Sequence, residues 1–419
     1  MTDHFPQAGE KPWPLFPLGL LVLSAFCGNY SRIALGPFQE TVRTTLSLTD
    51  NQMAIVQGPA IAIPMALVAI PLGMAVDRIS RVRILLLLVV GCVIGGLLTA
   101  IATGFVQLVA ARTLIGLTAG TINIAAYSIL ADLFPPERRG RAKSVVVVGY
   151  YLGASAAFAT AAALLALTAG SSDGWRLSMA WMTVPAIVAG FALLMLREPA
   201  RTGITSGAPG LAATVAQLSR YRQIILPLAT ALVAIEVPLA ATWIWASPIL
   251  IRTYAASQSE VAGIIAVAML VSGMAGPLLG GLISDYFQRR GSLSTMVAFA
   301  AVDLVAALGS FFVFAPSLYS SAVILTAFMT GISAAFSMGI TLFTILVPNE
   351  LRGLCLALLS AAAGIVGFAI APVLVSLLSG VLGGSAAIGF SLLVVNLPAC
   401  LLGAAAILVG RRIAAGMAN

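Results

Sequence analysis

Gly73 to Arg83 reads GMAVDRISRVR, and Gly281 to Arg290 reads GLISDYFQRR. Each begins with a glycine, a three-residue gap and an aspartate, each carries arginines after it, and each separates two hydrophobic runs. The copies lie 208 residues apart. A second pair, PPERRG at Pro135–Gly140 and PNELRG at Pro348–Gly353, shares the pattern Pro-x-Glu-x-Arg-Gly at a separation of 213 residues. The chain is one half-sequence written twice.

Composition says what the halves are. Of 419 residues, 60% are hydrophobic and 9% charged, against roughly 45–50% and about 25% in a soluble domain. Such a chain is a multi-spanning membrane protein. Cys27, Cys92, Cys355 and Cys400 each stand alone in an apolar run, with no CxxC and no Cys/His cluster. They read as packing residues, and neither a metal site nor a cofactor is expected. Met1 to Pro14 is polar, contains His4, and lacks the basic n-region of a cleaved signal.

Runs of about 20 apolar residues, the length that crosses a hydrocarbon core as a helix, fall near 16–38, 52–76, 83–103, 106–131, 143–168 and 176–196. A second set falls near 224–250, 260–284, 293–314, 318–346, 353–380 and 386–410. Helices are required, because lipid offers the backbone no hydrogen-bond partners. The expected fold is therefore all-α, with twelve transmembrane helices in two pseudo-symmetric six-helix bundles. Residues 1–196 form the first bundle, 197–223 a hydrophilic cytoplasmic linker, and 224–419 the second.

Cations set the orientation. The connections holding the repeated motifs carry Arg78, Arg81, Arg83, Arg138, Arg139, Arg141, Lys143, Arg289, Arg290 and Arg352, while the opposite connections hold Arg43, Arg176 and Arg252. Both termini and the motifs are expected in the cytoplasm, and the location is expected to be a bacterial inner (plasma) membrane. The formal charge of +8 is then a topology signal, and no nucleic-acid partner is expected.

Gly73-x-x-x-Asp77-Arg78-x-x-Arg81, its echo at Gly281 to Arg290, and Arg112-x-x-x-Gly116 in the fourth run resemble the signatures of the major facilitator superfamily. The resemblance covers almost the whole chain. Ser80 stands where the family loop usually has glycine, and Tyr286 replaces an arginine in the second copy. The resemblance implies solute transport by alternating access, with a monomer sufficing; a non-transporting receptor or a membrane enzyme is not expected, since the sequence holds no metal-ligand cluster, nucleophile motif, nucleotide loop or sizeable soluble domain. It also implies that Gly73, Asp77, Arg78, Arg81 and Asp285 belong to a conformational latch, a carboxylate facing arginines and a helix N-terminus. The plainer reading of the same residues is a solvated turn whose arginines hold topology.

Ionisable residues inside the spans are costly, ~2.5–3.5 kcal/mol at the bilayer centre, and therefore informative. Arg32, Arg112, Glu236 and Asp303 qualify. Arg32 and Glu236 occupy corresponding first helices of the two halves, which in the resembling fold line a central cavity. Glu236 suits proton coupling, the alternatives being a permanent ion pair or a wet charge. Arg32 suits a carboxylate or phosphate ligand, the alternatives being pairing with Glu236 or with carbonyls. Arg112 matches the family's fourth-helix arginine, implied to couple protons to conformational change. Asp303, on a helix peripheral in that fold, is expected in a buried polar pair.

Asn29, Tyr30, Asn123, Tyr127, Tyr150, Tyr151, Trp243 and Phe336 suggest an aromatic, partly polar substrate pocket, while Trp245 reads as an interfacial anchor. The first-span Asn29-Tyr30-Ser31-Arg32 and the loop ADLFPPERRGRA resemble branches that include organic-anion symporters and spinster-like lipid carriers. Ser31 replaces the acid those carriers commonly have there, which moves the proton site to Glu236. The leading expectation is proton-coupled symport of a small organic anion. The runner-up is proton-driven export of amphipathic, drug-like or lipid-like compounds.

Overall fold

The computed structural model describes residues 13–168, 171, 173–201, 221–347 and 349–418. Among them, twelve helical segments are long and apolar enough to cross a membrane. In the first half these are α1 (Leu15–Thr45), α2 (Asp50–Arg78), α3 (Arg81–Ile101), α4 (Phe105–Leu133), α5 (Pro136–Leu167) and α6 (Gly174–Leu193). In the second they are α7 (Arg222–Tyr254), α8 (Gln258–Gln288), α9 (Ser292–Phe314), α10 (Leu318–Leu346), α11 (Leu358–Leu382) and α12 (Gly384–Gly416). They fall on the twelve expected runs. The helix of α5 starts at Pro136 rather than near 143, because proline is pre-set for a first helical position and PPERRG supplies the first turn. Most of the 197–223 linker, His4, Lys11, and Pro348 with the side chains of the PNELRG segment lie outside the described residues.

The starts are chemically marked. Thr49 and Gln52 form a capping box at α2, Ser80 caps α3, Ser257 caps α8, and Ser317 with Ser320 caps α10. Breaks are marked as well. Helix α2 is interrupted at Gly58-Pro59, and α11 passes through a π-helical segment, Gly364–Ile370, before continuing from Ala371. A π segment widens one turn and is frequent at functional sites.

The second half packs around one continuous apolar cluster that runs from Ile225 to Ile407 and takes in Ala54, Ala154 and Phe158 from the first half. The first half is built on two clusters. One gathers Leu21, Leu85, Ile115 and Ile129 nearer the motifs; the other gathers Tyr30, Phe38, Met53 and Trp175 towards the opposite end. Helices α5 and α8 join the halves. Ser155 Oγ donates to the Ala266 carbonyl and Ser259 Oγ to the Ala162 carbonyl, each at 2.8 Å.

Candidate functional site

Arg32 is 8% exposed and is anchored from three directions. Its Nε donates to Asn29 Oδ1 at 3.2 Å, and the Asn29 amide donates to the Tyr150 carbonyl at 2.8 Å, tying α1 to α5. From α4, Arg112 donates to the Arg32 backbone carbonyl at 2.5 Å. The guanidinium carbon lies 4.9 Å from the Phe368 ring centroid and 5.8 Å from that of Tyr150. Arg32 also lines a cavity of about 30 Å³ with Gln57, Met65, Phe158, Trp243 and Phe368. That space admits a water or two. An organic solute enters only if the halves part.

Glu236 stands on the other side of the same turn of α11. A Cβ on Gly367 would lie 2.6 Å from Glu236 Cγ and 2.9 Å from its carbonyl oxygen, so the close approach requires glycine. The next residue, Phe368, covers Arg32. One π-helical turn thus touches both charges. Glu236 Oε2 is buried without a hydrogen-bond partner, and among the described residues no ion pair joins it to Arg32. Arg112 is 1% exposed, its Nε is unpartnered, and no carboxylate pairs with it among the described residues. Two guanidinium groups, linked through the Arg32 carbonyl, are thus buried without a carboxylate partner among the described residues. Cation–π contacts, about 0.5–2 kcal/mol each, do not offset burial of a second unpaired cation. The site carries an excess of positive charge.

The remaining expected pocket residues divide. Tyr150 stands against Tyr151 edge to face at 5.7 Å, and Tyr151 packs on Gly273 at the α5–α8 seam. Trp243 lines the cavity, its indole N–H buried without a partner, and Asn123 Oδ1 is likewise unpartnered. Tyr30 stacks on Phe26 at 5.8 Å, Phe336 packs on the second-half core, and Tyr127 lies under Lys143 at 4.9 Å; none of the three lines the cavity. Trp245 is fully buried and donates to the Pro372 carbonyl at 3.0 Å, so it joins α7 to α11 instead of marking an interface. Asp303 is fully buried beside the Cys400 thiol of α12, and neither carboxylate oxygen meets an N–H or O–H donor among the described residues.

At the motif end, Arg81 is buried and ion-paired with Asp132 on α4 and with Glu198 just after α6, the latter at 2.9 Å. Ser80 Oγ donates to the other Glu198 oxygen at 2.7 Å, and the Arg81 and Val82 amides add bonds at 3.2 and 3.0 Å. These donors hold the Glu198 carboxyl down at about 2, against the desolvation that opposes them. Arg201 folds back onto the last carbonyls of α2, those of Val76, Asp77 and Ile79. The carboxylates of Asp77 and Asp285 are exposed, as is Arg78, and a Cβ on Gly73 would meet nothing.

At the opposite end a charged cluster ties the halves together. Arg252, at the end of α7, holds Glu40 at 3.1 and 2.7 Å and Asp50 at 3.0 and 2.7 Å, both from the first half. Arg43 holds Glu40 at 2.7 Å, Ser385 donates to Asp50 at 2.8 Å, and Thr41 bonds Gln258. Sequence reading missed this cluster and the Asp132–Arg81–Glu198 set. The signal was present: Glu40, Arg43, Asp50 and Arg252 are opposite charges concentrated in connections otherwise poor in them. Phe368 and Gly367 gave no such signal, since a phenylalanine and a glycine in an apolar run read as packing.

Comparison with known proteins gives the same frame. A family model described as the Major Facilitator Superfamily matches residues 21–246. A protein of Cupriavidus pinatubonensis named "Probable 4-methylmuconolactone transporter" is 32% identical over 116 residues, 28% of this chain and 27% of that protein. The 3-(3-hydroxy-phenyl)propionate transporter of Escherichia coli is 27% identical over 315 residues, 74% of each chain. The chain thus spans about a quarter of the first relative's length and about three quarters of the second's. A crystal structure of a bacterial homolog to the human lysosomal transporter Spinster, inward-facing and unoccupied, superimposes with a TM-score of 0.76 at 21% identity, over 96% of this chain and 95% of that one. The motifs, the twelve spans and the family match agree: the chain belongs to the Major Facilitator Superfamily.

Proposed function

We propose that this protein carries a small organic carboxylate with an aromatic or otherwise flat, unsaturated body into the cell, together with a proton. The observation that carries the reading is Arg32. It is a nearly buried guanidinium without a carboxylate partner among the described residues, roofed by Phe368 and bordered by Trp243, beside a second arginine that has none either. A carboxylate binding the Arg32 fork would neutralise that excess through paired charge-assisted bonds, and the aromatic side chains would stack on its ring. Asn29 and Arg112 position the arginine; Tyr150, Tyr151, Asn123 and Tyr127 border the route that opens as the halves part. The names of the two curated relatives, a muconolactone and a hydroxyphenyl propionate transporter, support this substrate class.

Coupling rests on Glu236. An unpaired buried carboxylate costs several kcal/mol, so Glu236 takes up a proton when α11 closes over it and releases it when α11 withdraws. Gly367 and Phe368 move as one turn, so substrate at Arg32 and proton at Glu236 bias the same element. The halves rock about this midplane site in alternating access. The Gly73–Arg81 loop, with Asp77 and Asp285, latches the cytoplasmic end, and the termini lie on that side of a bacterial inner membrane.

Proteoliposomes test the reading with 3-(3-hydroxyphenyl)propionate as first probe. An inward proton gradient is expected to drive accumulation in the wild type. Glu236→Gln is expected to keep exchange of internal for external solute but lose gradient-driven accumulation, and Arg32→Ala to lose both. Proton-driven expulsion of neutral or cationic amphiphiles, unchanged by Arg32→Ala, would instead establish an exporter.

A further inference from the structure

Asp303 lies midway along α9, away from the cavity. It is fully buried, its one polar side-chain neighbour is the Cys400 thiol, and among the described residues neither carboxylate oxygen meets an N–H or O–H donor. Its Oδ2 lies 2.9 Å from where a Cβ on Gly403 of α12 would sit, a point also 3.5 Å from Ile235 Cγ1 and from the Ala231 carbonyl oxygen of α7. The group therefore occupies a junction of α7, α9 and α12 where Gly403 leaves its carboxyl room.

Among the described residues no cation faces it, and the arginines of α7, Arg222 and Arg252, stand at that helix's two ends. From α12 the facing titratable group is the Cys400 thiol, a weak donor, and Arg411 and Arg412 are exposed near that helix's end. Helix α10 has one titratable residue, Tyr319, in its first turn, and α8 has Glu260, Asp285 and Tyr286 near its ends. On α7 the residue after Ile235 is Glu236, which turns instead to Gly367 of α11. A bare carboxylate in such a place costs many kcal/mol, whereas the neutral acid costs only what a buried hydroxyl and carbonyl cost.

We infer that Asp303 is a second proton-binding site, a carboxylic acid that keeps its proton at neutral pH in this state. It is separate from Glu236: Asp303 stands by Ala231 and Ile235 of α7, whereas Glu236 rests on Gly367 of α11. The proton resides on a carboxylate oxygen, with the Cys400 sulfur as the adjacent soft acceptor. Glu236 and Asp303 thus flank one helix at successive positions of its wall, and a movement of α7 that rewets either one changes the proton count of the carrier.

Infrared spectroscopy of the purified, lipid-reconstituted protein at neutral pH reads this directly. The wild type is expected to show a protonated-carboxyl C=O component that Asp303→Asn removes and Glu236→Gln leaves in place, and Asp303→Asn, isosteric with the neutral acid, is expected to melt where the wild type does. An Asp303→Asn spectrum with the wild-type acid band intact would overturn the proposal. Cys400→Ala is the second variant, carrying the test if Asp303→Asn does not accumulate as folded protein. It is expected to shift the same component without removing it, and an unmoved band there would equally overturn the assignment.

Discussion

Arg32 and Glu236 are legible from sequence because a charge inside an apolar span has few reasons to be there. What surrounds them is not. Phe368 covers Arg32 at 4.9 Å and Gly367 rests on Glu236, yet both belong to GIVGFAI, a string with no polar atom beyond its backbone. The π turn sets these two adjacent residues on two different charges. Arg32→Lys keeps the charge but loses the planar fork, and is expected to weaken carboxylate binding about tenfold or more, ~1.4 kcal/mol, measured by calorimetric titration. Gly367→Ala places a methyl 2.6 Å from Glu236 Cγ. It is expected to slow transport severalfold while the protein still folds, because α11 can retreat from α7 but cannot close on it. Wild-type rates in that variant would remove α11 from the coupling step.

Among the elements, the twelve spans were readable to within a few residues, since length and hydropathy fix them. The larger departures are the start of α5, where PPERRG is polar yet begins a helix at Pro136, and the ends of α1 and α12, which run on to Thr45 and Gly416. Contacts between elements were not readable. Arg252 joins α7 to Glu40 and Asp50 with four bonds of 2.7–3.1 Å; the opposite charges stand out in the sequence, but nothing in it says which of them meet across about 200 residues. Hydrogen bonds to charged groups contribute about 1.5–3 kcal/mol each before entropy is counted, so this cluster is a principal brace of the closed end. Arg252→Met is expected to shift the population towards opening there, read as faster labelling of a cysteine placed at Ser385. Gly58→Ala tests the same seam through packing alone. Its Cβ would stand 2.4 Å from the Phe368 carbonyl oxygen, and the expected result is again faster labelling; unchanged labelling in both would show that neither contact holds the end shut.

For the whole molecule, the doubled sequence predicts two halves, and the family match and twelve spans agree with it. Which end is held by which charges required coordinates. The Glu198 clamp on Ser80 and Arg81 has a carboxyl held at about 2, below its ordinary 4.5. A depressed carboxyl stabilises the fold fully above its unfolded value and loses that contribution as pH falls from about 4.5 towards about 2. Between pH 5 and 8 it is therefore constant, and a pH dependence of transport in that window is expected to survive Glu198→Gln but to weaken in Glu236→Gln. Thermal unfolding of the purified protein with an aromatic carboxylate and with its methyl ester is the most direct test that Arg32 holds the solute. The acid at a hundredfold excess over its Kd is expected to stabilise the wild type by about 2.7 kcal/mol, the ester not at all, and Arg32→Ala to respond to neither. Equal stabilisation by acid and ester, persisting in Arg32→Ala, would contradict the anion site.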